Sequence, residues 1–307
     1  MRQKQPCEIA YLGPEGSFSH LCALKLSDCL IETPEFKAYS SILRLKEALS
    51  HKEVVFALFP LENSLGGSVP ETLDALLSLP PNCQVELEWV LRIEHCLVGF
   101  GSDFSAITEI RAHFQAFAQC EAFLRHNFPQ AKLSEWSSNS AAATSLLNLP
   151  EAEKIKTLAI CSSEAANLYS IPVLRQTIND FPDNNTRFWL LSRLDEQLNF
   201  KAPQGNSQSL TSLAFRIPQD EPGGLMRVLA ILAARDINLS KIESRPTKGR
   251  LCEYTFFIDF INPANWTELK DTIIGEISSQ SSYFRFLGSY PVLPLNDQRF
   301  NSSLKHG

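Results

Sequence analysis

Through the first two thirds of the chain, short apolar runs alternate with stretches of helical spacing. Glu8-Ile9-Ala10-Tyr11-Leu12, Val54-Val55-Phe56-Ala57-Leu58-Phe59 and Thr157-Leu158-Ala159-Ile160-Cys161 read as strands. Helical patterns over 19–27, 41–50, 70–79, 115–126 and 139–148 lie between such runs, each long enough to serve as a crossover. The alternation predicts α/β units around a mostly parallel sheet over residues 7–193. Residues 194–209 turn polar, with Pro203, Gly205 and several Gln, Asn and Ser, and read as a linker. A second unit is expected over 210–293: strand 210–217, helix 223–235, strands 237–246 and 251–260, helix 266–280 and strand 284–292. Leu225, Val228, Leu229, Leu232 and Ala233 give its first helix one apolar face, and Thr247-Lys248-Gly249-Arg250 supplies a hairpin turn. The order βαββαβ is the ferredoxin-like arrangement. The last dozen residues are polar and expected to fray.

Composition adds exclusions. A chain of 307 residues exceeds the usual single domain, and 44% hydrophobic with 20% charged residues is a globular balance. The net charge of −6 carries no basic stripe, so no nucleic-acid partner is expected. Met1-Arg2-Gln3-Lys4-Gln5 is followed by no apolar signal region, and no run approaches the roughly 18 apolar residues of a membrane span. The expectation is a cytoplasmic protein without membrane attachment. Cys7, Cys22, Cys29, Cys83, Cys96, Cys120, Cys161 and Cys252 form no C-x-x-C pair, which fits reduced thiols and no metal site. Neither a Walker A loop nor G-x-G-x-x-G occurs, so no nucleotide cofactor is expected.

Candidate chemistry gathers where strands run into helices. Gly13-Pro14-Glu15-Gly16-Ser17-Phe18-Ser19, Pro60-Leu61-Glu62-Asn63-Ser64-Leu65-Gly66-Gly67-Ser68-Val69 and Ser137-Ser138-Asn139-Ser140-Ala141 each place small or hydroxyl residues at a helix start. Free backbone N–H groups there suit a carboxylate, although Ser and Asn at such positions also serve simply as N-caps. Open α/β sheets bind ligands outside the carboxyl ends of their strands, and the three turns together point to a small anion. A fourth segment, Asp183-Asn184-Asn185-Thr186-Arg187-Phe188-Trp189, sets a hydroxyl beside a guanidinium at the entrance to an apolar strand. Thr186 suits donation to a leaving oxygen and Arg187 suits a carboxylate, or simply a strand-entry turn. His95 and His113 have no nucleophile or acid near them in sequence and read as structural.

In order along the chain, these motifs resemble the prephenate dehydratase family. Tyr11-Leu12-Gly13-Pro14-Glu15-Gly16-Ser17-Phe18-Ser19-His20 is similar to its opening signature, Pro60 to Val69 to its central one, and Asn185-Thr186-Arg187-Phe188 to its Thr-Arg-Phe motif. The second unit resembles an ACT regulatory domain, with Glu243-Ser244-Arg245-Pro246 matching its phenylalanine-binding motif. The resemblance implies a two-lobed catalytic domain like the periplasmic binding proteins, its first lobe from both ends of the domain and its second from roughly residues 90–165. It implies decarboxylative dehydration of prephenate to phenylpyruvate without a cofactor, and a homodimer or homotetramer regulated by phenylalanine. Arogenate, with an amino group in place of the keto group, remains an alternative substrate, and a ligand-binding or sensor protein an alternative role. By the same resemblance Thr186, Arg187 and Phe188 form the catalytic motif, and Asn63, Ser64, Gly67, Ser68 and Ser140 line the cleft. Gly224, Leu225, Met226, Glu243, Ser244, Arg245 and Pro246 are the expected effector contacts. Ala112-His113-Phe114-Gln115 departs from the family's Ser-His-Pro-Gln, removing one polar contact. Gly223-Gly224-Leu225-Met226 departs from Gly-Ala-Leu-Val and is expected to retune effector binding.

Overall fold

The computed structural model describes residues 8–31, 33–193, 209–218, 222–247 and 253–293. Of the linker expected at 194–209, residues 194–208 lie outside the described residues and Ser209 already opens a strand; most of the hairpin turn, at 248–250, and the C-terminal tail also lie outside them. The chain forms two compact units: the chain up to Thr72 with Leu91–Phe188, and Leu73–Val90 with the chain from Trp189 onward.

The first unit opens with β1 (Glu8–Leu12), α1 (Phe18–Ser27), β2 (Glu35–Tyr39), α2 (Ile42–Ser50) and β3 (Phe56–Asn63). β1 pairs in parallel with both β2 and β3, Ile9 facing Phe56 and Leu12 facing Tyr39. Ser17 and Ser41 cap the two helices by accepting from His20 N and Arg44 N. Ile42, Leu45, Ala48 and Leu49 recur at helical spacing and are buried. After β3 come the two-residue β4 (Gly67–Ser68), then α3 (Pro70–Ser78) and β5 (Cys83–Arg92), of which Leu73–Val90 belong to the second unit.

A second lobe of the same unit is continuous in sequence. It holds β6 (Cys96–Gly99), β7 (Glu109–Ala112), α4 (Phe114–Gln119), α5 (Glu121–Asn127), β8 (Lys132–Glu135), α6 (Asn139–Ser145), α7 (Glu151–Lys154), β9 (Thr157–Cys161), α8 (Ser163–Leu168) and β10 (Val173–Arg175). Its strand order is β10-β6-β9-β7-β8, parallel between β7 and its two neighbours and antiparallel around β6. All of β9 is buried because the sheet is covered on both faces. Leu158 and Ile160 pack with Ile110, Cys120 and Leu124 on one side, and Ala159 and Cys161 with Ala142, Leu146 and Ala165 on the other. The chain then returns as β11 (Asn185–Arg193), so the first lobe draws on both ends of the domain. The single helix expected over 115–126 is two, α4 and α5, breaking at Cys120. Asp180, far along the chain, supplies the second cap by accepting from Ala122 N and Phe123 N.

The second unit contains β12 (Ser209–Arg216), α9 (Gly224–Ala233), β13 (Leu239–Pro246), β14 (Tyr254–Ile261), α10 (Trp266–Ser279) and β15 (Tyr283–Leu293). Their order β13-β14-β12-β15 is the ferredoxin-like sheet. Leu213, Phe215, Ile258 and Phe260 pack beneath Val228 and Leu232 of α9 and Ile273 and Ile277 of α10. β15 continues the sheet by pairing in parallel with β5, Val292 facing Glu88. Arg285 on β15 donates to Leu79 O at 2.6 Å and Pro80 O at 2.9 Å, just beyond the carboxyl end of α3.

Candidate active site and effector motif

Asn63 closes β3, and its side chain folds over the turn that follows. Its Oδ1 accepts from Leu65 N at 3.0 Å and Gly66 N at 2.8 Å. Gly67, at φ +75, then turns the chain back so that it faces Asn63 across the β3–β4 pair. Backbone N–H groups only donate, so the orientation of the Asn63 amide is fixed and its Nδ2 faces the start of β11. There it donates to Asn184 Oδ1 at 2.7 Å and Thr186 Oγ1 at 3.0 Å, and lies 3.2 Å from Asn185 O. Thr186 Oγ1 is thus an acceptor toward Asn63, and its own proton is directed elsewhere.

Ser64 buttresses the same segment. Its Oγ donates to Asp183 O at 2.9 Å and accepts from Asn185 N at 3.0 Å, while Ser64 N donates to Asn185 O at 2.8 Å. Arg187 pairs with Glu62 across 2.8 Å, so its guanidinium meets a carboxylate of the protein itself. Phe188 is 1% exposed and belongs to the core, where it anchors the strand and presents no group to a ligand. Of the triplet expected to be catalytic, the structure brings the Thr186 hydroxyl to the loop, ties Arg187 to Glu62 and buries Phe188.

From the second lobe, Ser138 takes the N-cap of α6 by accepting from Ala141 N, and Ser140 sits one turn in, buried. Its Oγ makes no hydrogen bond among the described residues. It points toward the Gly13–Ser17 turn of the first lobe: a methyl group placed on Gly16 would stand 2.9 Å from Ser140 Oγ and 3.0 Å from the Tyr169 ring. Tyr169 Oη donates to Glu15 O across the same approach. Gly16 has φ +75, and that conformation together with the close approach requires glycine. His113 caps α4 and donates its backbone N–H to Asn139 Oδ1.

Three further residues, none of them among the expected site residues, join this hydrogen-bonded network. Asn184 passes the Asn63 contact on by donating from Nδ2 to Gln119 Oε1 at 2.8 Å, and Gln119 Oε1 also meets His95 Nε2 at 2.7 Å. His95 is 2% exposed and stands edge-on to Phe18, and desolvation holds its pKa below the ordinary imidazole value. Asn184 adjoins the Thr-Arg-Phe motif, which was a usable signal; Gln119 and His95 arrive from distant parts of the chain.

In the second unit Gly223, at φ +78, turns the chain into α9, and Gly224 opens the helix. Any β-carbon on Gly224 would lie 2.1 Å from Ile217 Cγ2, so the isoleucine leaves no room for a side chain there. Met226 is 68% exposed. Glu243-Ser244-Arg245-Pro246 close β13, the edge strand; Glu243 pairs with Lys241, and Arg245 donates to Asp74 Oδ1 at 3.2 Å. β12 and β13 both run antiparallel to β14, so the Gly223 turn and Pro246 lie at the same end of the sheet.

The chain thus joins a two-lobed α/β domain, with a hydroxyl that accepts an amide N–H where strands meet loops, to a βαββαβ module. The comparisons give the family. The prephenate dehydratase family model matches residues 9–196 and the ACT domain model residues 211–265. The prephenate dehydratase of Bacillus subtilis is 36% identical over 288 residues, covering 92% of this chain and 98% of its own. That of Lactococcus lactis subsp. cremoris is 35% identical over 290 residues, covering 94% and 99%. The Arthrobacter aurescens prephenate dehydratase, solved in complex with L-Phe, superposes with a TM-score of 0.77 at 32% identity, covering 97% of each chain. The chain belongs to the prephenate dehydratase family.

Proposed function

We propose that this protein is a carbon–oxygen lyase converting prephenate to phenylpyruvate, CO₂ and water, with residues 7–193 catalytic and 210–293 regulatory. One observation carries the assignment of roles: Asn63 Nδ2 donates to Thr186 Oγ1 at 3.0 Å while its Oδ1 is held by two backbone N–H groups. Accepting that bond polarises the Thr186 hydroxyl and leaves its proton for the substrate. As the ring carboxylate departs as CO₂, its bonding electrons move through the ring and expel the ring hydroxyl. Thr186 hydrogen-bonds that oxygen as negative charge grows, and a proton completes the water. A threonine hydroxyl is too weak an acid to give up its proton outright, so help comes through a strong hydrogen bond or onward relay. Aromatisation supplies the driving force and orientation supplies the rest. Asn63, Ser64, Gly67 and Ser68 shape the loop that faces the substrate, and Ser140 offers a hydroxyl from the other lobe. Because Arg187 is paired with Glu62, its part is to hold the Thr186 strand against the loop; supporting that part are the 2.8 Å ion pair and its shielding from solvent.

Phenylalanine is the proposed effector, bound by Gly224, Leu225, Met226 and Glu243 to Pro246 of paired ACT domains in a homodimer or homotetramer in the cytoplasm. Turnover should need neither metal nor nucleotide, and chelation should leave the rate unchanged. The test is a side-by-side assay of the purified protein on prephenate and arogenate, with and without phenylalanine. Preferential prephenate turnover inhibited by phenylalanine is expected. Preference for arogenate would reassign the substrate, and no turnover of either would overturn the enzyme reading.

A further inference from the structure

We propose that His95 is a positioning residue for the reaction: as its Nε2–H tautomer, it fixes the far end of a hydrogen-bonded chain running through Gln119, Asn184 and Asn63 to the hydroxyl of Thr186. This rests on the proposed role of Thr186 and deepens it.

The direction of every bond in the chain follows from its anchored end. Leu65 N and Gly66 N can only donate, so Asn63 presents Oδ1 to them and Nδ2 to Asn184 and Thr186. Asn184 must then turn Oδ1 toward Asn63 and Nδ2 toward Gln119, and Gln119 must accept through Oε1. The remaining approach to that oxygen is His95 Nε2 at 2.7 Å, which is favourable only if this nitrogen carries a proton. The opposite tautomer would set a lone pair against Gln119 Oε1. Turning the Gln119 amide to relieve that would bring its NH₂ against Asn184 Nδ2, and the conflict would travel to Asn63 and break the turn. Nδ1 of His95 is buried with no hydrogen-bond partner among the described residues. A lone pair is tolerable there, whereas an N–H without an acceptor is costly, so the ring stays neutral. Burial acts in the same direction.

His95 is also held in place from its backbone. Its N–H donates to Asn179 Oδ1 at 2.7 Å, its carbonyl accepts from Ile178 N at 2.9 Å, and Ile93 N donates to Asn184 O at 2.7 Å. These bonds join the two chain segments that pass between the lobes. The chain that aims Thr186 therefore begins where these two segments are bonded together.

The experiment uses the full-length protein with His95→Phe, which keeps an aromatic ring beside Phe18 and removes the donor, and His95→Gln, whose Nε2 can still donate. For His95→Phe, kcat on prephenate should fall about 10-fold or more, the scale of one lost buried hydrogen bond, with KM little changed. His95→Gln should recover most of that loss. In a Thr186→Val background His95→Phe should cost nothing further, because a residue acting through Thr186 has nothing left to position. Wild-type kcat in a folded His95→Phe, with Thr186→Val impaired, overturns this proposal and leaves the Thr186 reading standing. An unimpaired Thr186→Val overturns both. Should His95→Phe fail to fold, ¹⁵N-histidine spectra of the wild type decide: an Nδ1–H tautomer or a doubly protonated ring at neutral pH overturns the proposal.

Discussion

Exchanging Thr186 for valine keeps the outline of the side chain and removes one hydroxyl, leaving Asn63 Nδ2 with Asn184 and the Asn185 carbonyl as its acceptors. Loss of a donor that acts mainly in the transition state should lower kcat by on the order of 10²–10³, with the melting temperature nearly unchanged. Steady-state kinetics and a thermal melt on the same preparation check this, and near-normal turnover would remove Thr186 from the mechanism. At position 224 the sign of an ordinary rule reverses. Glycine to alanine in a helix commonly stabilises, but here the added carbon would lie 2.1 Å from Ile217 Cγ2. Gly224→Ala should therefore destabilise by about 1–3 kcal/mol, as overpacking does, and Gly224→Ala with Ile217→Ala should recover part of it in urea unfolding. The glycine pair at 223–224 was visible in the sequence, whereas the packing of Ile217 over it was not, because nothing local says which side chain lies over a helix start. Asn63, Ser64 and Thr186 were legible for the opposite reason: each stands in a motif whose neighbours make the contact.

Helix α3 begins directly after the Asn63–Val69 turn and is tethered beyond its carboxyl end by Arg285. Arg285→Ala should destabilise by about 1–3 kcal/mol, since it strips a charged donor from two carbonyls, and hydrogen exchange in the last turn of α3 should accelerate. Unchanged protection there would mean that water replaces the guanidinium without loss. The elements of the second unit were readable because each combines a clear period with turn residues at its ends, as in Leu225, Val228 and Leu232 following Gly223 and Gly224. The break between α4 and α5 was not. Cys120 is neither proline nor glycine, and the carboxylate that caps the second helix comes from Asp180. Gln119, the last residue before that break, owes its place in the site to the same tertiary contact, since the helix ends where its side chain meets Asn184 and His95.

For the whole molecule, acid sensitivity follows from three imidazoles. Desolvation is the leading cause of the lowered pKa of His20, His95 and His113, opposed in His20 by Glu15, in His95 by the Gln119 hydrogen bond and in His113 by Glu135. With folded-state values below the ordinary 6.5, the unfolded chain binds more protons as pH falls through that value. The stability they contribute is complete above about 6.5 and is lost progressively as pH falls toward the folded-state values. Urea midpoints measured between pH 8 and 5 should drop below about 6.5, and the drop should be smaller in His95→Gln. Unlike these local effects, the membership of Leu73–Val90 in the second unit had no signal in the local pattern. β5 was not read as a strand from the sequence, and its neighbour β15 is the last element described. A consequence reaches synthesis and engineering. During translation β5 leaves the ribosome with both of its neighbours, β11 and β15, still to come, so the second unit matures only after the entire second lobe has been made. For the same reason a graft of the regulatory module cut in the linker would leave residues 73–90, and with them β5, behind.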